Sequence, residues 1–329
     1  MRSHTSRQWM VTHEWMVKPM QQTEWIEKKG LLVWLAEVFS ALGTGLYLIA
    51  IFVDNWWGAL IGYLIVILLK LPLHLLYLGK PLRFWRTMPP FSGAWRTSWI
   101  ARGVVFSVSF SIFGFAQLVT SYFLLIQSDI LAGLLPNSDM LTGQLHHIVY
   151  VADIILKVIA GIFVILTGIY CGFMMSYCKS VPFWNTELLP IVIFNAGIAD
   201  GLALMMATGL FTGGVDFLAI EYASRIVLGI NAILLGIYLL SASYKSTTAE
   251  LSVKELLVGR VALLFWLGIV LFGIAVPLII SFTTMFTGAA TEPLLIAGII
   301  CHTAGAFALK YCILKVGIYK PILPKSIVY

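Results

Sequence analysis

Charged side chains are scarce in this sequence, at 11% of its 329 residues, where an ordinary soluble domain carries about a quarter. Hydrophobic residues make up 60% and the mean hydropathy is +0.94. Such a chain has too little polar surface to cover a globule in water, so lipid must cover much of it. Cysteine is sparse too. Cys171, Cys178, Cys301 and Cys312 all fall in apolar segments without a close CxxC pair, which reads as free thiols in helices, not a disulfide or an iron–sulfur site. A haem anchor needs paired axial histidines on facing helices, and here only His74, His146, His147 and His302 are placed for it, two of them adjacent. No P-loop, GxSxG or zinc signature occurs in its proper context. Residues 1–30 lack the apolar core of a signal peptide, so they read as a polar tail that Trp9, Trp15 and Trp25 could rest on the membrane interface. The chain is thus expected to bind no haem or metal of its own, and any redox centre should belong to a partner.

What is present is a series of long apolar runs, at about 31–53, 56–79, 99–127, 147–177, 188–210, 219–243, 260–286 and 293–316. Each reaches the roughly 20 residues that a helix needs to cross a bilayer. The runs are continuous and do not alternate every second residue, which excludes barrel strands. The expected fold is therefore all-α and integral to the membrane, with eight transmembrane helices in two four-helix bundles. Residues 31–178 would form the first bundle and 179–316 the second, between tails at 1–30 and 317–329. A short internal likeness supports two halves: Thr44-Gly45-Leu46 in the first run matches Asp200-Gly201-Leu202 in the fifth.

The net charge of +6 reflects topology and not nucleic-acid affinity. The amino tail holds Arg2, Arg7, Lys18, Lys28 and Lys29, and the loop after the second run holds Lys80, Arg83, Arg86, Arg96 and Arg102. Lys179, Lys245, Lys254, Arg260, Lys315, Lys320 and Lys325 fall on the same side, making 17 of the 21 basic residues. The opposite loops carry acids alone, such as Asp54, Asp129, Asp139, Asp216 and Glu292. By the positive-inside rule both termini face the cytoplasm of a multi-pass protein of the inner, cytoplasmic membrane.

An ionisable side chain inside a membrane helix costs several kcal/mol, so each one needs a reason. Glu37, Lys70 and His74 sit at similar depth from the basic side, and spacing four puts Lys70 and His74 on one face. With Arg83, Arg86 and Arg102 they form either one polar pocket or, more plainly, a Glu37–Lys70 salt bridge with His74 at the headgroups. Nearer the acidic side come Tyr150, Asp153 and Lys157, the last two at self-neutralising spacing. Glu221 and Arg225 repeat that spacing. Asp200 and Lys310 lie deep in the fifth and eighth runs without a partner on their own helices, and such groups serve proton relays.

Residues 74–103 read HLLYLGKPLRFWRTMPPFSGAWRTSWIARG. This stretch resembles the NrfD/PsrC-like family, the membrane subunits of polysulfide reductase, nitrite-reduction and related complexes. The family pattern is a His at the end of the second helix, Leu-Gly-Arg-Pro, an Arg/Trp-rich stretch, then Thr-Ser-Trp and an Arg opening the third helix. Leu78-Gly79-Lys80-Pro81, Arg83, Trp85-Arg86, Thr97-Ser98-Trp99 and Arg102 follow that order. Lys80 replaces the Arg, and His74 stands four residues before Leu78 instead of beside it.

The resemblance implies a respiratory, quinone-reactive subunit of a multisubunit oxidoreductase, without its own haem. Its partners would be a four-cluster iron–sulfur subunit and a molybdopterin or other catalytic subunit. Electrons would pass between the nearest cluster and a menaquinone or ubiquinone in the first bundle. Quinone chemistry moves protons with its electrons and needs a donor or acceptor at each ring oxygen. Glu37 and His74 are the candidate catalytic pair. The candidate quinone-binding set is Glu37, Lys70, His74, Arg83, Arg86, Arg102, Tyr150 and Asp153, with the arginines stabilising developing negative charge or docking the partner. Asp153, Lys157, Asp200 and Lys310 are candidates for a proton path that would make the complex electrogenic. The competing readings are a secondary transporter using Asp200 and Lys310, and a haem-b anchor.

Overall fold

Proline, glycine and short polar caps divide the apolar runs into helices. The computed structural model describes residues 16, 18–89, 92–134, 139–287 and 291–322. Arg2, Arg7, Trp9, Trp15, Pro136 to Ser138 and Lys325 lie outside the described residues, as do the side chains of Asp129 and Asp139. The elements in chain order are β1 (Met20–Gln21), α1 (Gly30–Phe52), α2 (Trp56–Tyr77), α3 (Trp99–Leu134), α4 (Asp139–Ser176), α5 (Leu188–Thr212), α6 (Phe217–Lys245), α7 (Thr247–Leu257), α8 (Leu264–Thr287), α9 (Glu292–Lys315) and β2 (Ile318–Tyr319). All but α7 among the helices are long and apolar enough to cross a membrane, which gives the eight spans expected of an all-α membrane protein.

Asn55 caps α2 by accepting from the Gly58 N–H at 2.7 Å, and Asp216 caps α6 by accepting from Ala219 at 3.1 Å. Gly213 ends α5 at φ 69°, the left-handed position that glycine occupies without a Cβ penalty. Two spans are locally π-helical, Ile65–Lys70 in α2 and Leu264–Ala275 in α8. Each π segment runs up to a proline, Pro72 or Pro277. Proline has no N–H and crowds the carbonyl four residues earlier, so the helix widens ahead of it.

The structure departs from the sequence reading at two places. The third and fourth helices run on past the apolar stretches, to Leu134 and from Asp139. Hydropathy marks where lipid ends, while backbone hydrogen bonding continues until something breaks it. The polar stretch from Lys245 to Glu255 is not a plain loop but holds α7, capped by Ser246 and burying Ala249, Ser252, Val253 and Leu256. Trp25, one of the tryptophans read as resting the tail on the membrane interface, packs on Trp184 with ring centroids 5.3 Å apart.

That packing belongs to a small structure on the basic side. β1 pairs antiparallel with β2, joining the two terminal segments on one face. Below it Trp184 donates to the Ile313 carbonyl at 2.8 Å, Gln22 donates to Leu314 O, and Lys315 pairs with Glu27 at 2.6 Å. Arg260 joins Glu255 at 2.8 Å and also reaches Gln21.

Between the faces, α1 is the most buried span, packed on α2, α4 and α5. One buried cluster gathers Tyr47, Val66, Phe110, Leu202 and Met205 from α1, α2, α3 and α5. A second gathers Leu189, Tyr238, Phe265 and Cys312 from α5, α6, α8 and α9, with Phe183 and Trp184 at its basic end. Ile112, Ile162, Ile233 and Ile300 point outward, as residues facing lipid do. The matching tripeptides meet at the centre of the fold. Gly45 and Gly201 lie backbone to backbone, so that a Cβ on either would strike main-chain atoms of the other helix.

Gly201→Ala should therefore force α1 from α5 and destabilise the protein by about 1–3 kcal/mol. Gly236→Ala, whose added carbon meets open space, should leave the thermal unfolding midpoint in detergent at least as high as in the unaltered protein. A second expectation concerns pH. Burial pushes the Glu255 carboxyl up, but hydrogen bonds from the Arg260 side chain and backbone, with its charge, outweigh that and hold it below its ordinary value. A depressed folded pKa adds stability above the unfolded value and loses it as pH falls through the lowered one. The stability advantage over Glu255→Gln should thus disappear only on acidification through the carboxylate range, as read by unfolding at a series of pH values.

Candidate functional sites in the membrane

The buried polar side chains gather in three places. At the basic end of the first four helices, the π segment of α2 turns Lys70 inward, where it donates to Ser107 of α3 and lies 5.0 Å from the centre of the Tyr170 ring. One turn further, His74 Nε2 meets the Tyr170 hydroxyl of α4 at 2.8 Å. These groups form one wall of a ≈ 120 Å³ cavity otherwise lined by apolar residues such as Leu78, Phe84 and Ile100. Glu37 of α1 is buried close by, with the Cys171 thiol between it and Tyr170. No salt bridge joins Glu37 to Lys70. Instead, among the described residues, Glu37 Oε1 and His74 Nδ1 are buried with no hydrogen-bond partner, a costly state for polar atoms.

The arginines stand apart from this cavity. Arg83 and Arg86 are exposed on the 3₁₀ turn Pro81–Thr87, Arg86 lying over the Trp85 ring. Arg102 donates to the carbonyls of Trp95 and Arg96, at 3.0 and 2.6 Å, and stacks on Trp99. It fixes the shape of the motif loop.

The second place is the acidic end of the same helices. Asp153 of α4 is buried, and its Oδ1 accepts from Ser121 at 2.6 Å, Thr120 at 3.0 Å and Gln117 at 3.4 Å, all on α3. Lys157 approaches Oδ2 at 2.9 Å and also binds Asp54 in the α1–α2 turn. Gln117 in turn accepts from the Tyr47 hydroxyl at 2.8 Å. This network satisfies a buried carboxylate almost completely, which is what makes its burial tolerable. It borders an open cavity of ≈ 450 Å³ that Tyr150, Asp153, Lys157, Asn55 and Trp56 line together.

The third place lies between α5, α8 and α9. Asp200 and Lys310 are each 2% exposed and stand 2.7 Å apart, so the two deep charges without partners on their own helices are partners of one another. Asp200 Oδ1 also contacts His302 Nε2 at 3.1 Å, while His302 Nδ1 faces the Gly273 carbonyl at 3.0 Å. That carbonyl is the one four residues before Pro277, which cannot donate to it.

The structure thus divides the sequence candidates. Glu37, Lys70 and His74 share one site, Tyr150, Asp153 and Lys157 a second, and Asp200 and Lys310 a third. Sequence reasoning missed the uncharged partners Ser107, Gln117, Thr120, Ser121 and Tyr170, and weighed His302 only as a haem ligand. The run GFAQLVTSY carried a signal, since three of its polar residues at one-turn spacing face a single side of α3.

The protein is 27% identical over 189 residues to the C subunit of the polysulfide reductase of Wolinella succinogenes, covering 53% of this sequence and 57% of that one. It is 24% identical over 182 residues to Protein NrfD homolog of Haemophilus influenzae, covering 54% and 56%. The matched regions span little more than half the length of these relatives. A family profile described as Polysulphide reductase, NrfD, covers far more, from residue 19 to residue 321. It takes in the paired terminal segments and every membrane helix, and the chain belongs to the NrfD polysulphide reductase family.

Proposed function

We propose that this chain is the quinone-reactive membrane subunit of a respiratory oxidoreductase complex. It would exchange electrons between a menaquinone or ubiquinone pool and a four-cluster iron–sulfur partner, which connects to a molybdopterin or other catalytic subunit. The observation that carries this reading is the ≈ 450 Å³ cavity beside Tyr150, Asp153 and Lys157. It lies within the range of about 300–1,000 Å³ typical of small-molecule sites.

The walls suit a quinone ring. Ile51, Leu124, Leu125 and Ile154 supply apolar surface. The Tyr150 hydroxyl and Lys157 ammonium can donate to a ring oxygen, and Asp153 can hold a proton in transit. The hydroxyls of Thr120 and Ser121 keep Asp153 in place throughout. A relative named as a polysulfide reductase subunit supports a redox complex as the setting. Arg83 and Arg86, exposed on the basic face, are read as a docking surface for acidic groups. Asp153, Lys157, Asp200 and Lys310 are read as stations for protons.

The orphaned Glu37 Oε1 and His74 Nδ1 favour a second placement, with the head group in the inner cavity and Glu37 and His74 as its catalytic pair. Quinol-linked turnover of the purified complex separates the two. Asp153→Asn and Tyr150→Phe should lower it by about 10²-fold, while the subunits still co-purify and viologen-linked activity of the catalytic subunit is kept. A loss confined to Glu37→Gln and His74→Ala moves the head group inward, and full turnover in all four variants rejects both placements. A bis-histidine Soret band, or solute flux through liposomes holding this chain alone, would support the haem-anchor or transporter reading instead.

A further inference from the structure

His302 sits between two acceptors, Asp200 Oδ1 and the Gly273 carbonyl. A neutral imidazole carries one N–H and can donate to only one of them. Two states satisfy both contacts. In one, an imidazolium donates to each and Asp200 is ionised. In the other, the neutral ring donates from Nδ1 to Gly273, and a protonated Asp200 donates from Oδ1 to Nε2. The states hold the same number of protons and differ by one hop across 3.1 Å. If that proton is removed, one buried acceptor loses its donor, so the emptied pair draws a proton back.

The surroundings supply a route on either side. Toward the acidic face, His302 lines a cavity of ≈ 30 Å³ together with Glu221, Ser224 and Ser281. Its walls are mostly apolar, but these four polar side chains face it and it has room for water. Glu221, one turn inside α6, is buried, accepts from Thr284 and lies 4.0 Å from Arg225. Arg225 is itself held by the hydroxyl and carbonyl of Ser281, at 3.1 and 2.9 Å. Toward the basic face, Lys310 holds Asp200 Oδ2 at 2.7 Å, and Glu37, whose Oε1 has no hydrogen-bond partner among the described residues, lies toward the same end of α1. Among the described residues, the ionisable groups facing His302 are therefore Asp200 from α5, Lys310 from α9, and Glu221 and Arg225 from α6, with Glu37 of α1 beyond Lys310. α8 offers only hydroxyls and the Gly273 carbonyl.

The geometry points to a proton-loading site shared by Asp200 and His302, supplied from the acidic face through Glu221 and the water-sized cavity, and emptied through Lys310 toward Glu37. On loading, an O–H bond breaks at Glu221, the proton crosses by water to the pair, and Glu221 is reprotonated from the aqueous side. On emptying, Lys310 releases an N–H proton to water on the Glu37 side and recovers one from protonated Asp200. The site rests on the quinone reading for its driving force but not for its protonation chemistry.

The test uses the complex purified through this chain, in proteoliposomes with menaquinone in the lipid and reduced methyl viologen as donor. Quinone reduction and internal pH are followed together. His302→Gln and Glu221→Gln should reduce quinone at rates comparable to the unaltered complex, while protons displaced per electron fall to those that quinone chemistry alone consumes. Undiminished displacement in both variants overturns the proposal, as does an unaltered complex that shows only the chemical protons. An unaltered complex unable to reduce quinone rejects the quinone reading, and the loading site is then judged on the full chain alone. Infrared difference spectra after a pH step on the acidic face should show bands that Asp200→Asn and His302→Gln remove and that Glu221→Gln slows. Bands that respond as fast in Glu221→Gln, or that never respond in the unaltered chain, overturn it.

Discussion

Lys310 reaches across from α9 to Asp200 on α5, and both side chains are closed off from solvent. Either charge alone inside the apolar bundle would cost several kcal/mol. Neither helix can then turn its charged face toward lipid, which fixes the rotation of each about its axis. The rotation of α9 that serves Lys310 also aims His302, two turns away, at the Gly273 carbonyl. The rotation of α5 that serves Asp200 also lays Gly201 against Gly45, and so seats α1. Much of the central packing follows from this pair.

Backbone irregularity recurs where the polar groups are. The π segment before Pro72 carries Lys70 inward, and the one before Pro277 leaves Gly273 O facing His302. In a membrane a carbonyl that a proline has released must find another donor inside the protein. A side chain from a neighbouring helix is well placed to supply it. Local disorder of the hydrogen-bond ladder is thereby converted into a fixed tertiary contact.

The two faces are organised differently. The basic face is closed by paired terminal segments, by α7 and by a loop whose arginine is tied to backbone carbonyls. The acidic face carries the open cavity beside Asp153 and the small cavity below Glu221. The inner cavity at His74 lies against the closed side.

The number of spans, their approximate limits and the one-sided basic charge were legible in the sequence, because hydropathy and charge are properties of neighbouring residues. The motif loop from His74 to Gly103 also pointed to the family, since its spacing is local. The Asp153–Lys157 pair could be read for the same reason, as spacing four on a helix sets the distance between two side chains. Which distant charges meet could not be read. Asp200 finds Lys310 at a separation of 110 positions along the chain, and His74 finds Tyr170 at 96. Those meetings depend on how helices rotate and approach, which glycine contacts, proline-induced π turns and burial decide together. Tertiary packing alone separated Glu37 from Lys70, brought His302 to Asp200 and opened the two cavities in different halves of the membrane.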